Sequence, residues 1–174
     1  MNPCFSKTIR TLSPRAVLAM IWGFLCLWIL AAPILMAHAH PAAAMAAYFP
    51  FSFFCHQIPA RSFSILQFPF AVCHRCFGIY LGLFFGSLLA MPYNPVSWRT
   101  RRLAIFAAAI PLLLDAMLPF AGLWTNTWWS RSGTGLLLGL LISPLLVQGV
   151  SELRDAVLQR SFVIDTLSIK GDFS

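Results

Sequence analysis

From Ala16 to Met36 the chain carries no charged side chain. At about 1.5 Å of rise per residue such a run crosses a hydrocarbon core of ~30 Å. In that medium backbone groups are satisfied only inside a helix or a closed barrel. The apolar runs here are continuous and do not alternate residue by residue, which argues against a barrel. The sequence therefore implies an all-α membrane protein, and its 59% hydrophobic and 10% charged residues, with a mean hydropathy of +0.78, lie outside the range of soluble globular chains.

Four transmembrane helices are expected, near residues 16–36, 75–91, 103–121 and 133–150, within a single membrane domain covering 1–174. A basic start at Lys7, Arg10 and Arg15, followed by Ala37-His38-Ala39, resembles a secretory signal. The first run is longer than the roughly 7–15 apolar residues such a signal uses, so it reads as a retained span. Residues 37–74 form an outer loop. The stretch Ala37 to Phe54, with Pro41 and Pro50, is too short to cross alone and predicts a short re-entrant or interfacial helix in that loop. Tyr93-Asn94-Pro95 reads as a turn, and Trp124, Trp128 and Trp129 as anchors at headgroup level.

Most basic residues flank one set of span ends. Lys7, Arg10, Arg15, Arg99, Arg101, Arg102, Arg154, Arg160 and Lys170 stand against Arg61, Arg75 and Arg131. The larger group belongs on the cytoplasmic side, which puts both termini and the polar tail 151–174 inside a multi-pass inner (cytoplasmic) membrane protein. The net charge of +7 is thereby an orientation signal, with no basic face for nucleic acid; the lipid bilayer is the partner. Gly78, Gly82 and Gly86 recur every fourth residue in the second span, and Gly135 and Gly139 repeat that spacing in the fourth. Such faces let two backbones approach closely, most simply the second span against the fourth, and they also offer a route to a homo-oligomer.

This topology carries Cys55, His56, Arg61, Cys73, Cys76, Asp115 and Arg131 to one membrane face. Cys73 and Cys76 sit three apart at a helix start, where unpaired backbone N–H groups favour thiolate. With Cys55 and His56 they make a Cys₃His set that suits tetrahedral zinc, with His74, His38 or His40 as substitutes for His56; copper(I) also fits soft sulfur ligands. The same Cys-x-x-Cys fits a thiol–disulfide oxidoreductase passing electrons to a quinone, although Cys4 and Cys26 lie too far away to complete a second disulfide. A structural disulfide with a spare thiol is the bland alternative. Asp115, inside the third span, needs a partner or a proton; Arg131 is nearest by topology, with Arg61 and Arg75 as rivals. Asp115, Arg131 and Arg61 are the candidates for any catalytic role, or for lining the polar cavity of a carrier, and whether the chain is an enzyme is left open.

These residues resemble the pattern of DUF-2085, a family of predicted membrane proteins to which no reaction is assigned. The likeness runs from about Phe53 to Gly139. It rests on Cys55-His56-Gln57-x-Pro59-x-Arg61-Ser62-Phe63 and Cys73-x-Arg75-Cys76-x-Gly78-Ile79-Tyr80-x-Gly82, then more loosely on Pro111-Leu112-x-x-Asp115, Asn126 and Arg131-x-x-Thr134-Gly135. Ala116 departs from the glycine that usually follows the aspartate. The resemblance implies that the Cys-His and Cys-x-x-Cys elements form one unit with the Asp and Arg, and it ranks His56 above His74 as a ligand. The leading expectation is thus an outward-facing metal site, zinc by preference, at the start of the second span; the quinone-linked oxidoreductase using Cys73-x-x-Cys76 is the alternative.

Overall fold

The computed structural model describes residues 13–90, 97–119, 121–122 and 125–171. Lys7, Arg10, Cys4, the Tyr93-Asn94-Pro95 turn and Trp124 lie outside them. The chain is helical almost throughout: α1 (Pro14–Ala37), α2 (Pro41–Ser52), α3 (His74–Leu89), α4 (Trp98–Met117) and α5 (Trp128–Gly171). A 3₁₀ turn, Pro59–Arg61, and a two-stranded hairpin, β1 (Ser64–Ile65) and β2 (Phe68–Pro69), fill the loop between α2 and α3.

Prolines at the first turns of α1 and α2 start these helices where a missing N–H costs nothing. Among the described residues, two helices are long and apolar enough to cross a membrane: α1, with 24 residues, and the first 33 residues of α5, Trp128–Arg160. That is fewer than the four spans expected. The 16-residue α3 is apolar but covers only about 24 Å. The 20 residues of α4 open with Arg99, Arg101 and Arg102 in the first turns, which lowers its hydropathy. Nor does the fourth span give way to an irregular tail at Val150. With neither proline nor glycine between Gly149 and Gly171 to stop it, α5 continues through the segment read as a polar tail.

The centre of the bundle is α3, which lies between α1 and α5 while α4 packs on α5. The glycine faces explain the closeness of α3 and α5. A Cβ on Gly78 would collide with the Ser132 carbonyl, on Gly82 with that of Leu136, on Gly135 with that of Arg75 and on Gly139 with that of Ile79. Backbone touches backbone here, and dispersion contacts accumulate where lipid gives no hydrophobic drive. These faces meet inside one chain, so they are not available to a second copy. Farther along the same seam the buried hydroxyls of Ser87 and Ser143 lie 2.9 Å apart beside the Leu83 carbonyl.

A second cluster forms at the other side of α3. Ile29 and Ala32 of α1, Ala47 and Phe51 of α2, and Phe70, Ala71 and Val72 after the hairpin bury one another, and Cys55 is part of the same core. The opposite stripe of α2 and the turn after it, Met45, Phe49, Phe53 and Phe54, is exposed. The helix is therefore amphipathic only in the sense that one apolar face is covered and the other is bare.

Candidate functional site

Cys55 follows α2 by two residues, and its amide donates to the Phe51 carbonyl at 2.9 Å, which turns the chain inward and buries the thiol. Gln57 then fixes the loop. It has a positive φ of 49°, and its side-chain amide donates to the carbonyls of Tyr48 at 2.8 Å and Ala71 at 2.9 Å. One side chain thus ties the end of α2 to the segment entering α3. Tyr48 adds a hydrogen bond from its hydroxyl to the Pro69 carbonyl.

Cys73 is the N-cap residue of α3 and Cys76 lies one turn on, so both thiols come to the start of that helix. The Cys73 amide donates to Cys55 Sγ at 3.2 Å. The three sulfurs lie within 4.8 Å of one another, as the sequence topology requires. Hydrogen bonds from the Cys55 and Cys76 side chains, outweighing burial, push the Cys73 thiol down to about 2, which favours its thiolate form. None of the three is in a disulfide.

No imidazole belongs to this group. His56, expected as the fourth ligand, is exposed and lines the pocket beside the sulfurs, because consecutive side chains diverge where the backbone sends Cys55 into the core. Its three substitutes are placed elsewhere. His38 Nδ1 lies 2.9 Å from the Ile34 carbonyl, His40 caps α2, and His74 packs edge-on against Phe63 with ring centroids 4.3 Å apart.

The pocket measures about 280 Å³ and is lined by all three cysteines with His56, Arg61 and Arg75 among its walls. Asp115 is reached by Arg75, the rival that sequence reasoning placed behind Arg131. The carboxylate is buried and also accepts from the Ser130 hydroxyl, while Asn126 donates to the Asp115 carbonyl at 2.7 Å. Those contacts join the first turn of α3, the last turn of α4 and the start of α5. Arg131 lies half-buried near His74, whose basicity is lowered by burial and then by that guanidinium. Arg61 makes no ion pair among the described residues. Gln57 and Ser130 were given no role from the sequence; the positive φ of one and the distance in chain of the other from Asp115 left no local signal.

Three sulfurs converging without an imidazole fit zinc in number and kind. Zn–S bonds of ~2.3 Å set S···S edges of about 3.8 Å, so the group has to tighten by no more than about 1 Å to close on an ion. All three cysteines also line the pocket.

An uncharacterised protein of Methanocaldococcus jannaschii is 33% identical over 103 residues, covering 55% of this chain and 62% of the relative, so the chain spans less than two thirds of that protein. An uncharacterised protein of Methanothermobacter thermautotrophicus is 33% identical over 96 residues, covering 55% of this chain and 86% of its own length. No solved structure matches. The family described as predicted membrane protein DUF2085 matches residues 55–145, a stretch that begins at Cys55 and takes in Cys73, Cys76 and Asp115. With more than half of its length matched, the chain belongs to the DUF2085 family of predicted membrane proteins.

Proposed function

We propose that this chain is a membrane-embedded zinc protein in which Cys55, Cys73 and Cys76 hold the ion and the fourth position opens into the pocket. The observation that carries the reading is the meeting of three sulfurs from two separate chain segments within 4.8 Å. A three-ligand set with an open position is the arrangement of a Lewis-acid site; closed four-ligand sets are structural. The membrane setting completes the reading. The helices α1, α3, α4 and α5 form four spans of the inner membrane, α2 lies at the outer interface with Met45, Phe49 and Phe53 in lipid, and both termini are cytoplasmic.

Metal analysis of protein purified in detergent tests it. About one zinc per chain is expected, lost in Cys55→Ser, Cys73→Ser and Cys76→Ser and retained in His56→Ala. Zinc that survives all three cysteine changes overturns the site.

The placement of Cys73 at the N-cap of α3, with the Cys76 sulfur within 4.8 Å and hydrogen bonds that lower the Cys73 thiol, favours a second reading, the quinone-linked thiol–disulfide oxidoreductase. In it Cys73 and Cys76 form a disulfide as a quinone takes two electrons and two protons. Thiol labelling separates the two: protection that quinone induces and reductant reverses supports exchange, whereas protection that only a chelator removes supports metal.

A further inference from the structure

We propose that the pocket over the three sulfurs binds a small oxyanion, a phosphate or carboxylate, with Arg61 as its counter-charge and the open metal position as its second anchor. The inference rests on the zinc reading and names what the site takes. Charge is the first argument. Three thiolates around a divalent ion leave a net charge of −1, and the fourth position makes it −2 with a singly charged anion and −3 with a phosphate dianion. In a half-enclosed site of low dielectric that arrangement needs a cation beside it. Arg75 cannot serve alone, because its charge is already matched by Asp115. Arg61 stands on the pocket wall with no ion pair among the described residues, and no aspartate or glutamate lines the pocket.

Size is the second argument. A volume of about 280 Å³ exceeds the ~30 Å³ share of one water several-fold, so the site is built for a group larger than a metal-bound water. The rim supplies the third argument. Phe54 and Ile58 also line the pocket, and Phe54 is 83% exposed, so an apolar outer surface adjoins the inner lining that Arg61 shares with the sulfurs. A phosphate carried on a lipid headgroup meets both surfaces at once; a free anion meets only the inner one.

Cobalt(II) in place of zinc gives the test, because its visible absorption reports the fourth ligand. Cobalt-loaded protein in maltoside micelles is titrated with inorganic phosphate in one arm and with dioctanoyl-phosphatidylglycerol in another. A saturable spectral shift is expected, tighter with the lipid if the headgroup is the source and equal with both if a free anion is. Arg61→Gln should keep one cobalt per chain and weaken the anion about ten-fold or more, with Arg61→Lys restoring part of the loss. A cobalt spectrum that neither anion moves overturns this inference alone, as does an Arg61→Gln protein that binds as tightly as the wild type. Failure to bind cobalt at all overturns the metal reading and this inference with it.

Discussion

The backbone amide of Cys73 donates to the sulfur of Cys55 across 17 intervening residues, at 3.2 Å. That bond orders two thiols around the same point and leaves Cys73 Sγ to collect hydrogen bonds from both other cysteines. Those hydrogen bonds favour the thiolate form of Cys73 over that of an ordinary thiol.

Alkylation of metal-free protein reads that asymmetry. An ordinary thiol, with a pKa of about 9.0, loses thiolate about ten-fold for each pH unit below it, and its reaction rate falls in step. Cys73 is held far below that value, so its folded form stays deprotonated as pH drops, and its iodoacetamide rate should be flat between about pH 5 and about pH 8. Cys55→Ser exchanges the largest lowering contribution for a hydroxyl and should bring back part of the slope. The site of modification is read by peptide mass spectrometry.

The ion pair between Arg75 and Asp115 ties α3 to α4, which otherwise meets the bundle mainly through α5. Asp115→Ala leaves a guanidinium that retains 26% exposure, so the loss should be on the order of 2–3 kcal/mol, below the range for a fully buried pair. Removing both charges in Arg75→Met with Asp115→Leu should cost less than the sum of the single changes. Thermal unfolding in micelles measures the cycle, and strict additivity would mean that the pair does not couple the two helices.

Glycines in α5 differ sharply in what surrounds them. Gly82 of α3 and Gly139 of α5 face backbone, whereas Gly133 and Gly149 have open space at the Cβ position. Gly82→Ala or Gly139→Ala must force two helices apart and should destabilise by about 1–3 kcal/mol or more. Gly133→Ala and Gly149→Ala gain helix propensity without a clash and should stabilise by about 0.5–1 kcal/mol. Melting temperatures of the four proteins settle the contrast.

The features legible from sequence were those set by topology and spacing. Charge bias placed Cys55 and Cys73 at one end of the bundle, and the four-residue glycine interval matched α3 to α5. What sequence did not reveal depended on local backbone geometry. The hairpin turns at Leu66 and Gln67, with φ of 52° and 70°, and a two-residue turn of that hand ordinarily announces itself through Asn or Gly. Neither is present, so β1 and β2 left no trace. His56 lies outside the group of three sulfurs for a related reason, since adjacency in the chain points neighbouring side chains apart. Arg75 displaced Arg131 at Asp115 because helix phase, which spacing along the chain does not fix, decides which arginine faces α4.

Gln57 offers the sharpest separation between a packing residue and one that holds the site. Its NH₂ group faces two carbonyl acceptors, at 2.8 and 2.9 Å, one at the end of α2 and one at the approach to α3. Gln57→Glu keeps the size and shape of the side chain but replaces both donors with an oxygen that repels those acceptors. The loop bearing Cys55 then loses one of its ties to the segment bearing Cys73, while the apolar side chains of the core beneath, from Ile29 to Val72, are unchanged. Zinc affinity, read by competition with a chromophoric chelator, should fall about ten- to a hundred-fold, as it does when the supporting bonds around a metal ligand are removed. The unfolding midpoint of the metal-free protein should move little by comparison. Equal losses in both would make Gln57 a residue of the fold alone.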